Sequence, residues 1–305
     1  MKKTLALIMV LAMVLAFGAT AFADGDLIGY TCMDGTNPFF EALEGAIKEV
    51  VEANGDTLVS LDPQNSNETQ IAQIEDMISR GVKALFVNPV DKDGIIAALD
   101  EVKAAGIPMF GFDTEVADLS YLVTYAGSDN YNAGKVCGLD LIEKCPDGGP
   151  IIVLDSPTMQ SVVDRTNGFL DAIEGKGFEV VSQIDCMGNQ EQGNLNGTDA
   201  LTAHPEAICI FGGNDPTALG AYAAAEAAGS KALIYGVDGS PDIKALIAEG
   251  KVTGSGAQSP MTIGKTIAEL YYKWVAGETV EDRYPIETFM INSDNIEDYN
   301  NGGWQ

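Results

Sequence analysis

The chain has 305 residues, 46% hydrophobic and 20% charged, which is enough to bury a sizeable core and long enough for two domains. That balance excludes disordered and fibrous architectures. A formal net charge of −28, from 45 acids against 17 Lys and Arg, repels phosphate backbones and anionic membranes and argues against nucleic acid as a partner.

Residues 1–23 read as an export signal: Lys2 and Lys3, an apolar run from Leu5 to about Phe17, then Ala21-Phe22-Ala23 before Asp24. A membrane anchor would need about 20 apolar residues and would usually lack the small-residue cleavage box. No Cys follows the box, so no lipid anchor is signalled, and no later run approaches spanning length. Cleavage removes two lysines and no acids. The mature protein is therefore an acidic, soluble one, expected in the periplasm or at an extracytoplasmic cell surface.

From Leu27 onward, β-rich runs alternate with helix-period segments at a spacing of roughly 25 to 30 residues, the pattern of a parallel sheet covered by helices. Strands are predicted at Leu27–Cys32, Thr57–Leu61, Ala84–Asn88, Ile107–Phe112 and Tyr121–Ala126 in the first half. In the second they are predicted at Ile151–Asp155, Val180–Asp185, Ile208–Gly212, Leu233–Val237 and Val252–Ala257. Asn37-Pro38 opens the first helix as N-cap and N1, with Phe40, Leu43, Ile47, Val50 and Val51 as its apolar stripe before Gly55. Ile71, Ile74 and Ile78 mark a second helix before Gly81, and others run over Gly94–Ala105, Pro216–Ala228 and Pro260–Ala276.

Ten strands do not suit one open sheet, and the halves echo each other. Ile107-Pro-Met-Phe-Gly-Phe-Asp113 and Ala232-Leu-Ile-Tyr-Gly-Val-Asp238 are both apolar strands that end by presenting an Asp. The predicted fold class is α/β: two similar doubly wound, Rossmann-like parallel-sheet lobes with a hinge, binding ligand at the carboxyl ends of the strands. No Pro/Ser-rich linker separates them, so short crossings join the lobes, the first near Gly127-Ser128-Asp129.

A cleft between two rows of strand ends collects the residues that follow the strands. Here these are Asn37, Phe39, Phe40 and Asp113 from the first half, and Arg165, Asn214, Asp238 and Gln258 from the second. Such a mixture suits a carbohydrate, because each hydroxyl is both donor and acceptor and must be matched on entering a dry site. The carboxylates of Asp113 and Asp238 accept, Arg165 offers a planar fork of donors, and the amides do both. A Phe ring can cover the C–H face of a sugar. Several of these residues also have a plain structural role open to them. Asn37 can cap its own helix, Asp113 and Asp238 can be turn residues, and Arg165 can be a surface charge. Phe39 and Phe40 lie about 100° apart on a helix, so at least one is expected in the core, with Phe40 on the stripe and Phe39 toward the cleft.

No other chemistry is signalled. His204, the only histidine, lacks partners at metal or triad spacing and reads as a loop residue. Cys32, Cys137, Cys145, Cys186 and Cys209 form no C-x-x-C motif. Cys32 and Cys209 fall in apolar strands and are expected to be buried thiols, although an oxidising compartment leaves room for one bridge. Asp91-Lys-Asp-Gly94 and Asn292–Asn301 do not match calcium-loop spacing. Gly212-Gly213 and Gly254-Ser-Gly256 are too sparse for a phosphate cradle, so no cofactor or metal is expected.

At these residues the chain resembles the periplasmic binding proteins for pentoses and hexoses, nearest the ribose-binding type, over roughly residues 27–291. The resemblance is carried by Thr36-Asn-Pro-Phe-Phe40, Leu61-Asp-Pro-Gln-Asn65, Asn88-Pro89, Asp113, Ser128-Asp-Asn130, Arg165 with Gly168-Phe169, Gly213-Asn-Asp215, Val237-Asp-Gly239 and Gln258. It implies the type I periplasmic binding protein fold and a sugar site lined by the eight residues named above. It also implies an ABC importer permease and its ATPase as partners. Two departures bear on the ligand. Thr114 stands where the ribose binders carry an Arg after the strand-end Asp, and Met187 falls near the place of an aromatic on the far side of the ring.

The expected division is a signal peptide at 1–23, an N-terminal lobe of 24–127 plus about 259–287, a C-terminal lobe of 128–258 plus about 288–292, and a tail at 293–305. The expected function is an exported, monomeric binding protein that closes by a hinge on a monosaccharide or polyol for ABC-type import. A membrane chemoreceptor is a further possible reader of the closed form, and Glu41 or Glu44 could meet permease arginines. The alternative is a secreted glycoside hydrolase using Asp113 and Asp238 as acid and base. Against it, Arg165 and the amides are expected to hold both acids ionised.

Overall fold

The computed structural model describes residues 25–299 and 302–305, and the expected signal peptide lies outside them. The first half builds a sheet from β1 (Leu27–Thr31), β2 (Thr57–Leu61), β3 (Ala84–Val87), β4 (Met109–Phe112) and β5 (Thr124–Ser128). The intervening helices are α1 (Pro38–Ala53), α2 (Asn67–Arg80) and α3 (Ile96–Ala104). A second sheet is built from β6 (Gly149–Asp155), β7 (Phe178–Asp185), β8 (Cys209–Gly212), β9 (Leu233–Asp238) and β10 (Gly254–Ala257). Its helices are α4 (Asn130–Lys144), α5 (Gln160–Ile173), α6 (Gln190–Ala203), α7 (Asp215–Ala228) and α8 (Pro241–Ala248). The chain then returns to the first sheet with α9 (Pro260–Val275) and β11 (Arg283–Ile286), and crosses again to β12 (Phe289–Asn292) and a short α10 (Ile296–Tyr299).

The two sheets have the same winding: β11-β5-β4-β3-β1-β2 and β12-β10-β9-β8-β6-β7. In each, the strand order reverses beside the first strand of the half, which is where a doubly wound sheet opens a crevice at its carboxyl edge. All pairings described are parallel except β12 with β10.

Alternation along the strands explains the layers. Phe86, Ile28, Tyr30, Phe110 and Phe112 face α1 and α9, while Leu85, Val87 and Met109 face the other way onto Ile74, Met77, Leu99 and Val102. The second sheet divides likewise, with Ile152, Leu154, Ile210 and Ile234 on one face and Ile151, Val153, Phe211, Tyr235 and Val237 on the other. Both faces being covered, the strands read as continuous apolar runs. Helix starts follow their caps: Asn37 accepts from Phe39 N and Ser66 from Thr69 N, and Gly81 ends α2 in the left-handed conformation.

Two expectations are corrected. Tyr121 belongs to a 3-10 turn, Leu119–Tyr121, because Asp118 caps it and Lys103 sits over the tyrosine ring; the strand begins only at Thr124. Among the described residues there are two more strands than the ten expected, β11 and β12, which were missed because both are four-residue edge strands and β11 contains Pro285. Within the segment expected as a tail, Ile296–Tyr299 form α10, Trp304 packs on Phe39 and Gln305 bonds to Asp238. The five cysteines are all free thiols, Cys32 and Cys209 among the buried ones.

Candidate functional site

The eight residues predicted from sequence converge. Asn37, Phe39, Phe40, Asp113, Arg165, Asn214, Asp238 and Gln258 all line one small cavity between the two sheets, joined by Met33, Met159, Ser161 and Val162. It offers about 30 Å³ to the centres of water molecules, room for more than one. Asp113 directly follows β4, Asp238 ends β9 and Gln258 directly follows β10, so strand ends from both halves meet here. Asp113 and Asp238 have φ of 58° and 148°, conformations that non-glycine residues rarely adopt and that cluster at ligand clamps.

Charge is held in this dry space by a continuous network. Asp238 Oδ1 accepts from Gln258 Nε2 at 2.7 Å and from Arg165 Nη1 at 3.5 Å, and its Oδ2 accepts from Asp215 N at 3.2 Å. Arg165 also donates from Nε to Asn130 at 2.8 Å and from Nη1 to the Gly213 carbonyl at 3.1 Å. Asp113 Oδ2 accepts from Asn88 at 3.3 Å and from Thr114 at 3.2 Å. Two acceptors of the cavity lining are buried with no partner among the described residues: Asp113 Oδ1 and Gln258 Oε1, one from each sheet.

Burial raises both site acids above the ordinary carboxylate range, the Arg165 guanidinium offsetting only part of the effect; Asp238 is pushed to about 8 with help from the nearby Asp215. Both acids are thus pushed upward, against the direction in which Arg165 and the amides were expected to hold them. Desolvation outweighs the one cation when three acids share it.

Other local roles differ from expectation in instructive ways. Asn37 and Asn214 both cap helices through Oδ1, at 3.0 Å to Phe39 N and 3.0 Å to Thr217 N. Capping occupies only the carbonyl, so each amide group remains for other work; that of Asn214 donates to Gly188 O at 2.8 Å. Phe39 is as buried as Phe40, the two rings meet edge to face, and both form part of the cavity wall rather than one in the core and one in the cleft. Met187 does not line the cavity and is 58% exposed; Met159 supplies the sulfur instead. Thr114 is turned inward and shares a 2.9 Å hydrogen bond with Ser161 across the two halves.

Sequence reasoning missed Met33, Met159, Ser161 and Val162, which carry no distinctive polarity signal, and Asn88 and Asp215, which act one layer behind. Asp215 is fully buried and accepts from Ser240 N and Ser255 Oγ, both at 2.7 Å. A larger recess of about 250 Å³ adjoins at the hinge, lined by Asp113, Ser161, Asp164 and Arg283 among others. Its cation is already committed, bidentate, to Glu115 at 2.6 and 2.8 Å. No cluster of side chains that could hold a metal occurs among the described residues.

The periplasmic binding protein domain model matches residues 28–279. The chain belongs to this family. The ribose import binding protein of Escherichia coli (strain K12) is 31% identical over 293 residues, covering 95% of this chain and 98% of that one. The D-apiose import binding protein of Actinobacillus succinogenes is 29% identical over 298 residues, covering 95% of each. A solute-binding protein of an ABC transporter from Bacillus halodurans C-125, solved with bound myo-inositol, superposes with a TM-score of 0.84 at 26% identity over 92% of this chain and 99% of that one. The two lobes thus have the type I periplasmic binding protein fold, and the protein is a substrate-binding protein, not an enzyme. The hydrolase alternative finds no support among these relatives.

Proposed function

We propose that this protein, exported to the periplasm or an extracytoplasmic surface, captures a monosaccharide or cyclic polyol in the cavity between its lobes. It then presents the closed form to the permease of an ABC importer driven by its ATPase. One observation carries this reading: two buried acceptors from opposite sheets, Asp113 Oδ1 and Gln258 Oε1, have no donor among the described residues. A buried, unmatched acceptor costs about 1 to 3 kcal/mol, and a polyol supplies hydroxyl donors to both at once. Arg165, Asn37 and Asn214 donate in return, and Phe39 and Phe40 offer apolar surface to a ring. Ribose, apiose and myo-inositol, named for the relatives above, set the size class.

Lobes of 24–127 with about 259–287, and 128–258 with about 288–292, turn about the crossings near Asp129, Ser259 and Glu287. The protein works as a monomer. A chemoreceptor would recognise the same closed shape, and Glu41 and Glu44 on α1 are the acids placed to meet permease arginines. Thr114 in place of the ribose binders' Arg removes a donor fork, so D-ribose itself is disfavoured relative to those proteins.

Titration calorimetry against a panel including D-ribose, D-apiose and myo-inositol tests the reading. Saturable one-site binding to a member is expected, roughly 10- to 100-fold weaker in Asp238→Ala, because that change strands Arg165 and a ligand hydroxyl. No heat with any sugar or polyol, or unchanged affinity in the variant, contradicts it. Chromogenic glycosides should remain uncleaved.

A further inference from the structure

The segment at 302–305 lies against the backs of two ligand-site residues and against a ring from the opposite lobe. Gln305 Nε2 donates to the Asp238 carbonyl at 2.9 Å and also to the Gln258 carbonyl. The fully buried Lys244 of α8 fixes the segment from behind, donating to Gly303 O at 2.6 Å and to Gln305 Oε1 at 3.3 Å. Gly239, at φ 71°, leaves the space: a Cβ there would come within 2.5 Å of Gln305 Nε2. Trp304 then reaches across the cleft mouth, its ring centroid 5.7 Å from that of Phe39 and nearly perpendicular to it. It also lines a crevice with Asn37 and Pro38 on one side and Pro216, Leu219 and Pro241 on the other.

We infer that residues 302–305 are a working part of the ligand site: Gln305 positions Asp238 and Gln258, and Trp304 bridges the lobes through Phe39. The inference rests on the reading of this cavity as the ligand site. The carbonyls Gln305 ties together belong to the two residues whose carboxylate and amide face the cavity, so one side chain fixes the spacing of both. Asp238 and Gln258 are already joined by Gln258 N to Asp238 O at 2.9 Å, and the Gln305 amide closes that link from the other side. The Trp304 contact exists only when the lobes are together, because Phe39 belongs to α1 of the first lobe and the segment's anchors to the second. It therefore stabilises the closed form selectively, and its loss shows mainly in how fast ligand escapes rather than how fast it arrives. Phe39 lines the cavity while Trp304 does not, so the perpendicular contact with Trp304 also fixes the orientation of a ligand-facing aromatic.

Two measurements test this, one of which needs no ligand. The sequence has two tryptophans; Trp274 packs against Phe110, and Trp274→Phe leaves Trp304 as the single reporter. Pro216, Leu219 and Pro241 belong to the same lobe as the segment's anchors and stay beside Trp304 when the lobes part. Even in the unliganded protein, therefore, acrylamide should quench Trp304 less efficiently than free N-acetyltryptophanamide, and Lys244→Met should raise the quenching. Quenching as efficient as for the free indole means the segment is not docked and overturns the inference, whichever sugar binds. In the second measurement, D-ribose, D-apiose and myo-inositol are followed by stopped flow. Trp304→Ala should speed release roughly tenfold with arrival little changed, and Trp304→Phe should restore most of the loss. Gln305→Ala should weaken binding without altering thermal unfolding of the unliganded protein by more than a surface change does. Unchanged release in Trp304→Ala, with the ring shown to be docked, also overturns the inference. Absence of binding by all three compounds in the unmodified protein counts against the sugar reading, and the quenching result then stands on its own.

Discussion

Asp238 divides its two oxygens among Arg165, Gln258 and the Asp215 amide, in a site from which water is largely excluded. Its carboxyl is pushed to about 8 because desolvation outweighs the guanidinium, and Asp113 and Asp215 move upward for the same first cause. A raised folded-state value means that the folded protein holds more protons than the unfolded chain between about pH 4 and pH 8. Stability from this group is therefore full below the unfolded value and declines as pH rises through that window, by at most about 1.4 kcal/mol per pH unit. Asp238→Asn, which mimics the protonated acid, should flatten the fall in unfolding free energy measured by denaturant titration from pH 5 to pH 8. An identical slope in the variant would mean that Asp238 is ionised throughout. The residues of this cavity were legible in the sequence because they follow strands at matching places in the two halves, although caps and turns use the same residue types. What was hidden was the upward push that burial gives the acids, which depends on how completely water leaves, and the apolar lining from Met159 and Val162, whose types fit any core.

Arg165 reaches its place because α4 and α5 lie unusually close. A Cβ on Gly134 would come 1.8 Å from the Arg165 carbonyl, and one on Gly168 would come 2.0 Å from the Tyr131 carbonyl. No side chain fits either position without the helices parting. Gly134→Val should cost about 1 to 3 kcal/mol in thermal or chemical unfolding and weaken ligand binding as well, since Arg165 and its partner Asn130 sit on the two displaced helices. A variant with wild-type stability would show that the helices part freely. At this scale the sequence was informative where an element has a period or a cap, as in α1 with Asn37 and Pro38. It was uninformative at β11, an edge strand with a proline and half of its residues exposed, which only its pairing with β5 makes a strand.

Across the whole molecule, the repeated winding of the two sheets places equivalent strand ends, β4 with Asp113 and β9 with Asp238, opposite each other. The internal echo between residues 107–113 and 232–238 made that arrangement readable before any coordinates. The return of the chain to the first sheet and the docking of residues 302–305 were not readable, because both depend on contacts with distant parts of the chain. Few polar contacts cross between the lobes near the cavity, among them Thr114 with Ser161 and Lys92 with Gln160 at 3.1 Å, so the unliganded lobes are expected to open. Small-angle scattering should show a smaller radius of gyration on saturation with the tightest-binding sugar of the panel, and an unchanged radius would count against hinge closure. A crystal structure of the protein with that sugar is the most direct measurement of how the cavity is filled. Hydroxyls within hydrogen-bonding distance of both Asp113 Oδ1 and Gln258 Oε1 are the predicted result; a sugar bound elsewhere, with those two oxygens still unpaired, would contradict it.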